Sequence, residues 1–116
     1  MVVQMEDINK LVYLFGFSTR KSTSIDNLFN IIKEQIKDAN VTVVLIHDGV
    51  IGTSKKGVMP RSLNLLLNLP ITVFAMTPDL LARGIDPDSV DTRLNCIEYD
   101  VLVDILAKTP KIASWM

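Results

Sequence analysis

Three residues at the end of an apolar run are the first candidates for chemistry. His47, Asp48 and Gly49 directly follow the run from Val41 to Ile46, which is rich in β-branched residues. A carboxylate beside an imidazole can orient the ring for acid–base work. Adjacent residues on an extended strand point to opposite faces, however, which favours a polar strand end or a subunit contact at His47 and Asp48. Asp48-Gly49 is also a common turn sequence.

Cys96 is the only thiol in the chain and therefore the only side chain that could carry a persulfide. A reactive cysteine needs exposure and a positively charged neighbour that lowers the pKa of its thiol, and Arg93 is close in sequence. Cys96 lies in a predicted strand, however, and cysteines are among the most frequently buried residues. The sequence favours a buried structural cysteine and leaves a nucleophile as the alternative.

A single cysteine also excludes an internal disulfide and a cysteine-built zinc site, and no motif predicts a metal or a cofactor.

Two further features call for a test against known motifs. The segment from Gly52 to Gly57, GTSKKG, has the glycine spacing of a phosphate loop, but Val58-Met59 follows where lysine and a hydroxyl residue must stand. The pattern therefore excludes a standard P-loop and predicts a solvated loop, with docking to an acidic partner as the alternative. Trp115, the only tryptophan, is predicted to fold back on the core or to fill a pocket of a partner.

Composition and charge narrow the class of protein. The 116 residues are predicted to form one domain over 1–116, and the net charge of −1 gives no general reason to bind nucleic acid or a membrane surface. A mean hydropathy of +0.31 in a small chain favours association with another subunit. The N-terminal residues lack the pattern of a signal peptide, and no apolar run is long enough to span a membrane, so a reducing cytoplasm is the expected location.

These candidate residues are placed by an alternation of predicted strands and helices. The segment from Ser24 to Asp38 has apolar residues at the spacing of one helical face, and Thr77-Pro78-Asp79 is a typical helix start. The other expected elements are strands at Lys10 to Phe17, Val41 to Ile46, Ile71 to Met76 and Leu94 to Tyr99, helices beginning near Pro60 and Asp100, and an edge strand in the tail.

Right-handed connections between these elements predict a three-layer α/β/α sandwich with a parallel sheet of four to five strands. The apolar run from Val41 to Ile46 is expected in the centre, because both of its faces are hydrophobic. The residues expected to be buried against the sheet are Ile25, Phe29, Ile32, Leu66 and Leu106.

The second half of the chain, chiefly the stretch from Phe74 to Met116, resembles the DsrH/TusB branch of the DsrE/DsrF/DsrH-like sulfur-relay family. The resemblance lies in the order and spacing of short segments rather than in any single one. The first of these segments, Asp48-Gly49-Val50, precedes that stretch, and the others are Asp79-Leu80-Leu81-Ala82-Arg83-Gly84, Tyr99-Asp100, Val103-Asp104 and Ser114-Trp115.

The resemblance implies a subunit of a complex that passes persulfide sulfur, either for 2-thiouridine formation in transfer RNA or for sulfur oxidation. In the related DsrE/TusD-type subunit, a cysteine at the start of the short helix carries the sulfur, whereas here that helix begins Met76-Thr77-Pro78. The implied role is a partner subunit without catalytic activity of its own. It would form a homo-oligomer or assemble with DsrE/TusD-like and DsrF/TusC-like subunits, without direct contact with nucleic acid or membrane. A sulfurtransferase acting through Cys96 and a small-ligand-binding α/β domain are the alternatives.

Overall fold

The fold was taken from a computed structural model, which describes residues 10–20 and 22–116. Residues 1–9, whose sequence lacks the pattern of a signal peptide, lie outside them. Five strands and four helices follow one another along the described chain. The strands are β1 (Lys10–Phe15), β2 (Asn40–Leu45), β3 (Thr72–Met76), β4 (Leu94–Ile97) and β5 (Lys111–Trp115). The helices are α1 (Ser22–Gln35), α2 (Arg61–Leu67), α3 (Thr77–Ala82) and α4 (Tyr99–Lys108), with single 3₁₀ turns at His47–Val50 and Pro87–Ser89.

All five strands are parallel and lie in the order β4-β3-β2-β1-β5. The apolar run around β2 occupies the centre, and Val43, Val44 and Leu45 are fully buried because both faces of a central parallel strand are covered. The tail pairs with β1 and forms one edge of the sheet, with Leu11 opposite Lys111. The predicted fold class and the central position of β2 are therefore confirmed.

The larger core lies on the face covered by α1 and α2. Ile25 and Ile32 on α1 and Leu66 on α2 are fully buried there, at the positions that the helical spacing indicates. Phe29 is half-buried at the edge of the same core. The helices on this face therefore follow the predicted pattern closely.

The opposite face of the sheet is covered by α4. Its residues Leu102, Ile105 and Leu106 are half-buried against a smaller cluster that includes Val44 and Met76. No residue of α4 is fully buried, so Leu106 is less covered than the sequence pattern predicts. The two clusters form the two interfaces of the three-layer sandwich.

Candidate functional site

His47 and Asp48 lie in a 3₁₀ turn that follows β2 at the carboxyl end of the sheet. His47 has a φ of 48°, an uncommon left-handed conformation for a residue other than glycine. The chain therefore turns sharply at His47 instead of continuing as a strand. Both side chains are exposed. The alternation of faces expected for an extended strand does not apply to this pair.

The turn is joined to α3 by a group of polar residues, His47, Asp48, Asp79 and Arg83, which we call the strand-end cluster. Arg83 donates from Nε to Oδ1 of Asp48 at 3.1 Å, and its Nη2 forms an ion pair with the same oxygen at 3.0 Å. Its Nη1 donates to the backbone carbonyl of Asp79 at 3.2 Å. The carboxylate Oδ2 of Asp79 in turn accepts from the backbone N–H of His47 at 3.0 Å. The Asp48 carboxylate therefore pairs with a guanidinium, and acid–base chemistry through a His47–Asp48 pair has no support in this geometry.

Gly49 packs where the turn crosses the end of β1. A Cβ placed on Gly49 would lie 2.2 Å from the backbone oxygen of Phe15, a distance that no side chain tolerates. Two short backbone bonds hold the crossing, from the N–H of Ile46 to Phe15 O at 2.9 Å and from the N–H of Gly49 to Ile46 O at 2.8 Å. Gly49 is buried. Its role is to allow this close approach, and it offers no side chain to a ligand or partner.

Trp115 packs on the protein's own core from the edge strand β5. Its indole meets Tyr13 edge-on, with ring centroids 6.3 Å apart, and lies 6.4 Å from the ring of Phe15. Its backbone oxygen accepts from the N–H of Gly16 at 2.8 Å. The indole is half-buried. Of the two expectations for Trp115, the structure has the residue folded back on the core.

Cys96 lies on β4 with its side chain half-buried and packed against the larger core. Its thiol lies 3.6 Å from the backbone oxygen of Pro87. Burial raises the pKa of the Cys96 thiol, and the negative charge of Asp88 raises it further. Arg93 does not offset these effects, because its guanidinium is bound to Asp91 at 2.9 Å. A persulfide-forming cysteine requires the opposite environment.

The segment from Gly52 to Gly57 forms an irregular loop rather than a phosphate cradle. Gly52 has a φ of 97°, and the buried hydroxyl of Thr53 donates to Val50 O at 2.7 Å. The next helix, α2, begins only at Arg61. The exclusion of a P-loop agrees with this geometry. Within residues 10–20 and 22–116, no three histidines, cysteines or acidic residues are placed to hold a metal ion, and no helix there is long and apolar enough to cross a membrane.

Comparison with known proteins assigns this sequence to a family. The family model described as "DsrH like protein" matches residues 18–112. The chain belongs to the DsrH-like family. Protein TusB of Enterobacter sp. (strain 638) is 33% identical over 73 residues, which cover 63% of this chain and 73% of the relative. Protein TusB of Yersinia pestis (strain Pestoides F) is 30% identical over the same length.

Solved structures support the fold. The ychN protein from E. coli superimposes with a TM-score of 0.75 at 16% identity, covering 92% of this chain and 99% of the other. A conserved protein of unknown function from Bacteroides thetaiotaomicron superimposes with a TM-score of 0.71 at 15% identity, covering 97% and 99%. At these identities the likeness establishes the fold alone.

The start of α3 is the position at which the resemblance locates a sulfur-carrying cysteine in DsrE/TusD-type relatives. In this DsrH-like chain α3 begins at Thr77, with Pro78 and Asp79 in its first turn. The same Asp79 binds the turn after β2 through the N–H of His47. The start of α3 therefore has no thiol, and its first turn carries a carboxylate that stabilises the strand-end cluster.

Sequence reasoning missed the part played by Arg83 and Asp79, which it used only as part of a helix start and of the family resemblance. Part of the signal was present, because residues four apart on a helix lie on one face and an acid followed by a base at that spacing interacts. Asp79 and Arg83 have this spacing, with Nη1 of Arg83 3.8 Å from Oδ1 of Asp79. The partner on the other segment, Asp48, is 35 residues away from Arg83 and has no local signal.

Proposed function

We propose that this chain is a non-catalytic subunit of a sulfur-relay complex, which passes persulfide sulfur for tRNA 2-thiouridine formation or for sulfur oxidation. The relatives named TusB and the DsrH-like family membership support the relay. Its partners in this proposal are DsrE/TusD-like and DsrF/TusC-like subunits, in the cytoplasm. The whole of 1–116 would act as a single domain of that complex.

The observation that carries the non-catalytic role is the environment of Cys96. The only thiol of the chain lies on a strand of the sheet, half-buried, with a pKa raised by burial and by the charge of Asp88. A thiol with a raised pKa has a small thiolate fraction at neutral pH, and the thiolate is the form that attacks a sulfur donor. The family's carrier position at the start of α3 has no sulfur nucleophile either.

The proposed contact with a partner subunit is the surface formed by His47, Asp48, Phe17 and Met116. His47 and Asp48 are exposed at the carboxyl end of β2, and Phe17 and Met116 are exposed nearby at 41% and 63%. A Cβ on Gly16 would lie 3.6 Å from Nδ1 of His47 and 3.2 Å from Cγ of Met116, so both side chains flank the same glycine. An apolar patch beside a charged pair has the composition of an interface core with a polar rim.

In this proposal Gly49 and Trp115 support the interface indirectly. Gly49 sets the path of the turn that presents His47, and Trp115 anchors β5 through its contacts with Tyr13 and Phe15. Removing Trp115 should therefore weaken both the fold at this edge and the association of subunits. Alanine at His47 should weaken association with only a small loss of stability: its side chain is exposed and has no hydrogen bond among the described residues, but its φ of 48° is less favourable for alanine.

The test is to incubate the purified chain with a persulfide donor, alkylate it and weigh it by mass spectrometry. We expect no stoichiometric persulfide on Cys96. In parallel, Cys96→Ser should leave sulfur transfer by the reconstituted complex nearly unchanged. A persulfide on Cys96 that moves to an acceptor and disappears in Cys96→Ser would overturn the proposal and make the chain a sulfurtransferase.

A control separates loss of chemistry from loss of structure. Cys96→Ser places a hydroxyl in a half-buried site, so the melting temperature of the variant is measured beside its activity. Cys96→Ala keeps the site apolar and removes the thiol equally. If both variants support transfer, Cys96 carries no sulfur; if both fail while remaining folded and assembled, it does.

A further inference from the structure

An open cleft lies between α1 and α2, on the side of the sheet that holds the larger core. It has a volume of about 590 Å³, and its wall is formed by the loop after β1, the middle of α1 and the segment from Pro60 to Leu65 that includes the start of α2. Small-molecule sites commonly have volumes of roughly 300 to 1,000 Å³. In open α/β sheets they lie beyond the carboxyl ends of the strands, as the loop after β1 does here. The cleft therefore has the size and the place of a ligand site.

The wall of this cleft carries positive charge from two arginines. Of the four arginines in the chain, Arg83 and Arg93 are paired with carboxylates. Arg20 and Arg61 both line the cleft, and within residues 10–20 and 22–116 neither guanidinium has an ion-pair or hydrogen-bond partner. The one carboxylate on the wall, Asp26, already accepts a hydrogen bond from the hydroxyl of Ser62.

The remaining wall supplies apolar surface next to these two guanidinium groups. Phe29 from α1 and Leu65 from α2 both line the cleft, and Pro60 closes the end before α2. The loop with two lysines also approaches, since a Cβ on Gly57 would lie 3.9 Å from Nη2 of Arg20. A ligand in the cleft would meet both positive charge and an aromatic and aliphatic surface.

We propose that the cleft binds a small organic oxyanion, with its phosphate or carboxylate group on Arg20 and Arg61 and its apolar part against Phe29 and Leu65. The planar guanidinium presents paired N–H donors that match both kinds of anion. Binding supplies these donors with acceptors and covers the exposed apolar surface. The inference does not depend on the proposed role in sulfur relay, because no residue of the strand-end cluster lines the cleft.

The experiment is a titration of the ¹⁵N-labelled full chain followed by NMR chemical shifts. The probes are phenyl phosphate and benzoate, with inorganic phosphate and phenol as the headgroup-only and ring-only controls. We expect saturable shifts at the amides of Arg20 and Arg61 with phenyl phosphate or benzoate, weaker binding of inorganic phosphate, and no saturation with phenol. The tighter of the first two probes identifies the anionic group, and either one supports the proposal.

Matched variants test whether the two arginines hold the anion. Arg61→Ala and Arg20→Ala should each weaken binding about tenfold, the loss typical of a charged hydrogen bond. Lys37→Ala removes the same charge from an exposed site two residues beyond the C-terminal end of α1 and should leave the affinity unchanged. Melting curves establish that all three variants fold.

Three outcomes would overturn the proposal. The first is the absence of saturable shifts with both organic probes. The second is an equal loss of affinity in Lys37→Ala and Arg61→Ala, which would indicate general attraction to a positive surface. The third is equal affinity for inorganic phosphate and for the organic probes, which would show that Phe29 and Leu65 make no contact with the ligand.

Discussion

Replacing Gly49 by alanine should destabilise the protein strongly, although the change adds one methyl group. The new Cβ would lie 2.2 Å from Phe15 O, whereas ordinary contacts of a Cβ begin at 3.4 Å, so the turn or the end of β1 must move. A shift of about 1 Å in a packed interior typically costs about 1 to 3 kcal/mol. It also weakens the bonds from Ile46 N to Phe15 O and from Gly49 N to Ile46 O, at about 1 kcal/mol each. We expect a loss of about 3 kcal/mol.

The assay is urea unfolding of the purified chain followed by circular dichroism. With a slope of about 2 kcal/mol per molar urea, a loss of about 3 kcal/mol lowers the unfolding midpoint by about 1.5 M. Gly57→Ala is the matched control, because the nearest atom to its new Cβ is 3.9 Å away. Gly84→Ala has no atom within 4 Å but a φ of 70°, so it should cost about 1 to 2 kcal/mol from backbone strain alone. Equal midpoints for Gly49→Ala and Gly57→Ala would refute the close-packing argument.

Three other changes test the core, the acid stability and the interface. Ile32→Asp should unfold the isolated chain in a thermal melt, because an unpaired charge in the core costs several kcal/mol of a total of about 5 to 15. Ile31→Asp is the control, because Ile31 is 39% exposed and its replacement should lower the melting temperature much less. An unchanged melt for Ile32→Asp would show that α1 is rotated. Arg93 holds the pKa of Asp91 below its ordinary value, so this pair stabilises the fold above that value and the effect is lost as pH falls through the lowered pKa. Asp91→Asn should therefore flatten the fall of the urea midpoint in acid, and the same steep fall in both proteins would contradict this. Asp48→Ala removes the ion pair with Arg83 at the end of α3 and should weaken subunit association in analytical ultracentrifugation. The melting temperature should change little, because a largely exposed ion pair contributes little to stability. Unaltered association would show that Asp48 is not part of the interface.

The sequence was informative about elements whose residues repeat with a local period. The spacing of Ile25 and Ile32 placed the buried side of α1, because the period of a helix brings such residues onto one face. The continuous apolar run of β2 predicted a central strand because a parallel strand with both faces covered carries no polar alternation. Burial was overestimated for Phe29 and Leu106, which lie at the margins of the two helical layers.

The candidate site was only partly accessible to the same reasoning. His47 and Asp48 were found because polar residues after a buried strand lie at the carboxyl edge of a parallel sheet. Their partners were not found, since the pairing of Asp48 with Arg83 depends on the neighbouring positions of β2 and β3. The cleft with Arg20 and Arg61 was missed for the same reason, as its two sides come from segments about 40 residues apart.

The sequence by itself determined the class of fold, the order of strands and helices along the chain and the membership of the family. The first two follow from local periodicity, and the third follows from the order and spacing of short sequence segments. The tertiary structure decided the rest. The positive φ of His47 and the crossing at Gly49 direct the turn toward α3, the register of β4 turns Cys96 to the core, and β5 joins the sheet beside β1. Each of these depends on contacts between distant segments, whose free energy is gained only when the whole sheet has formed.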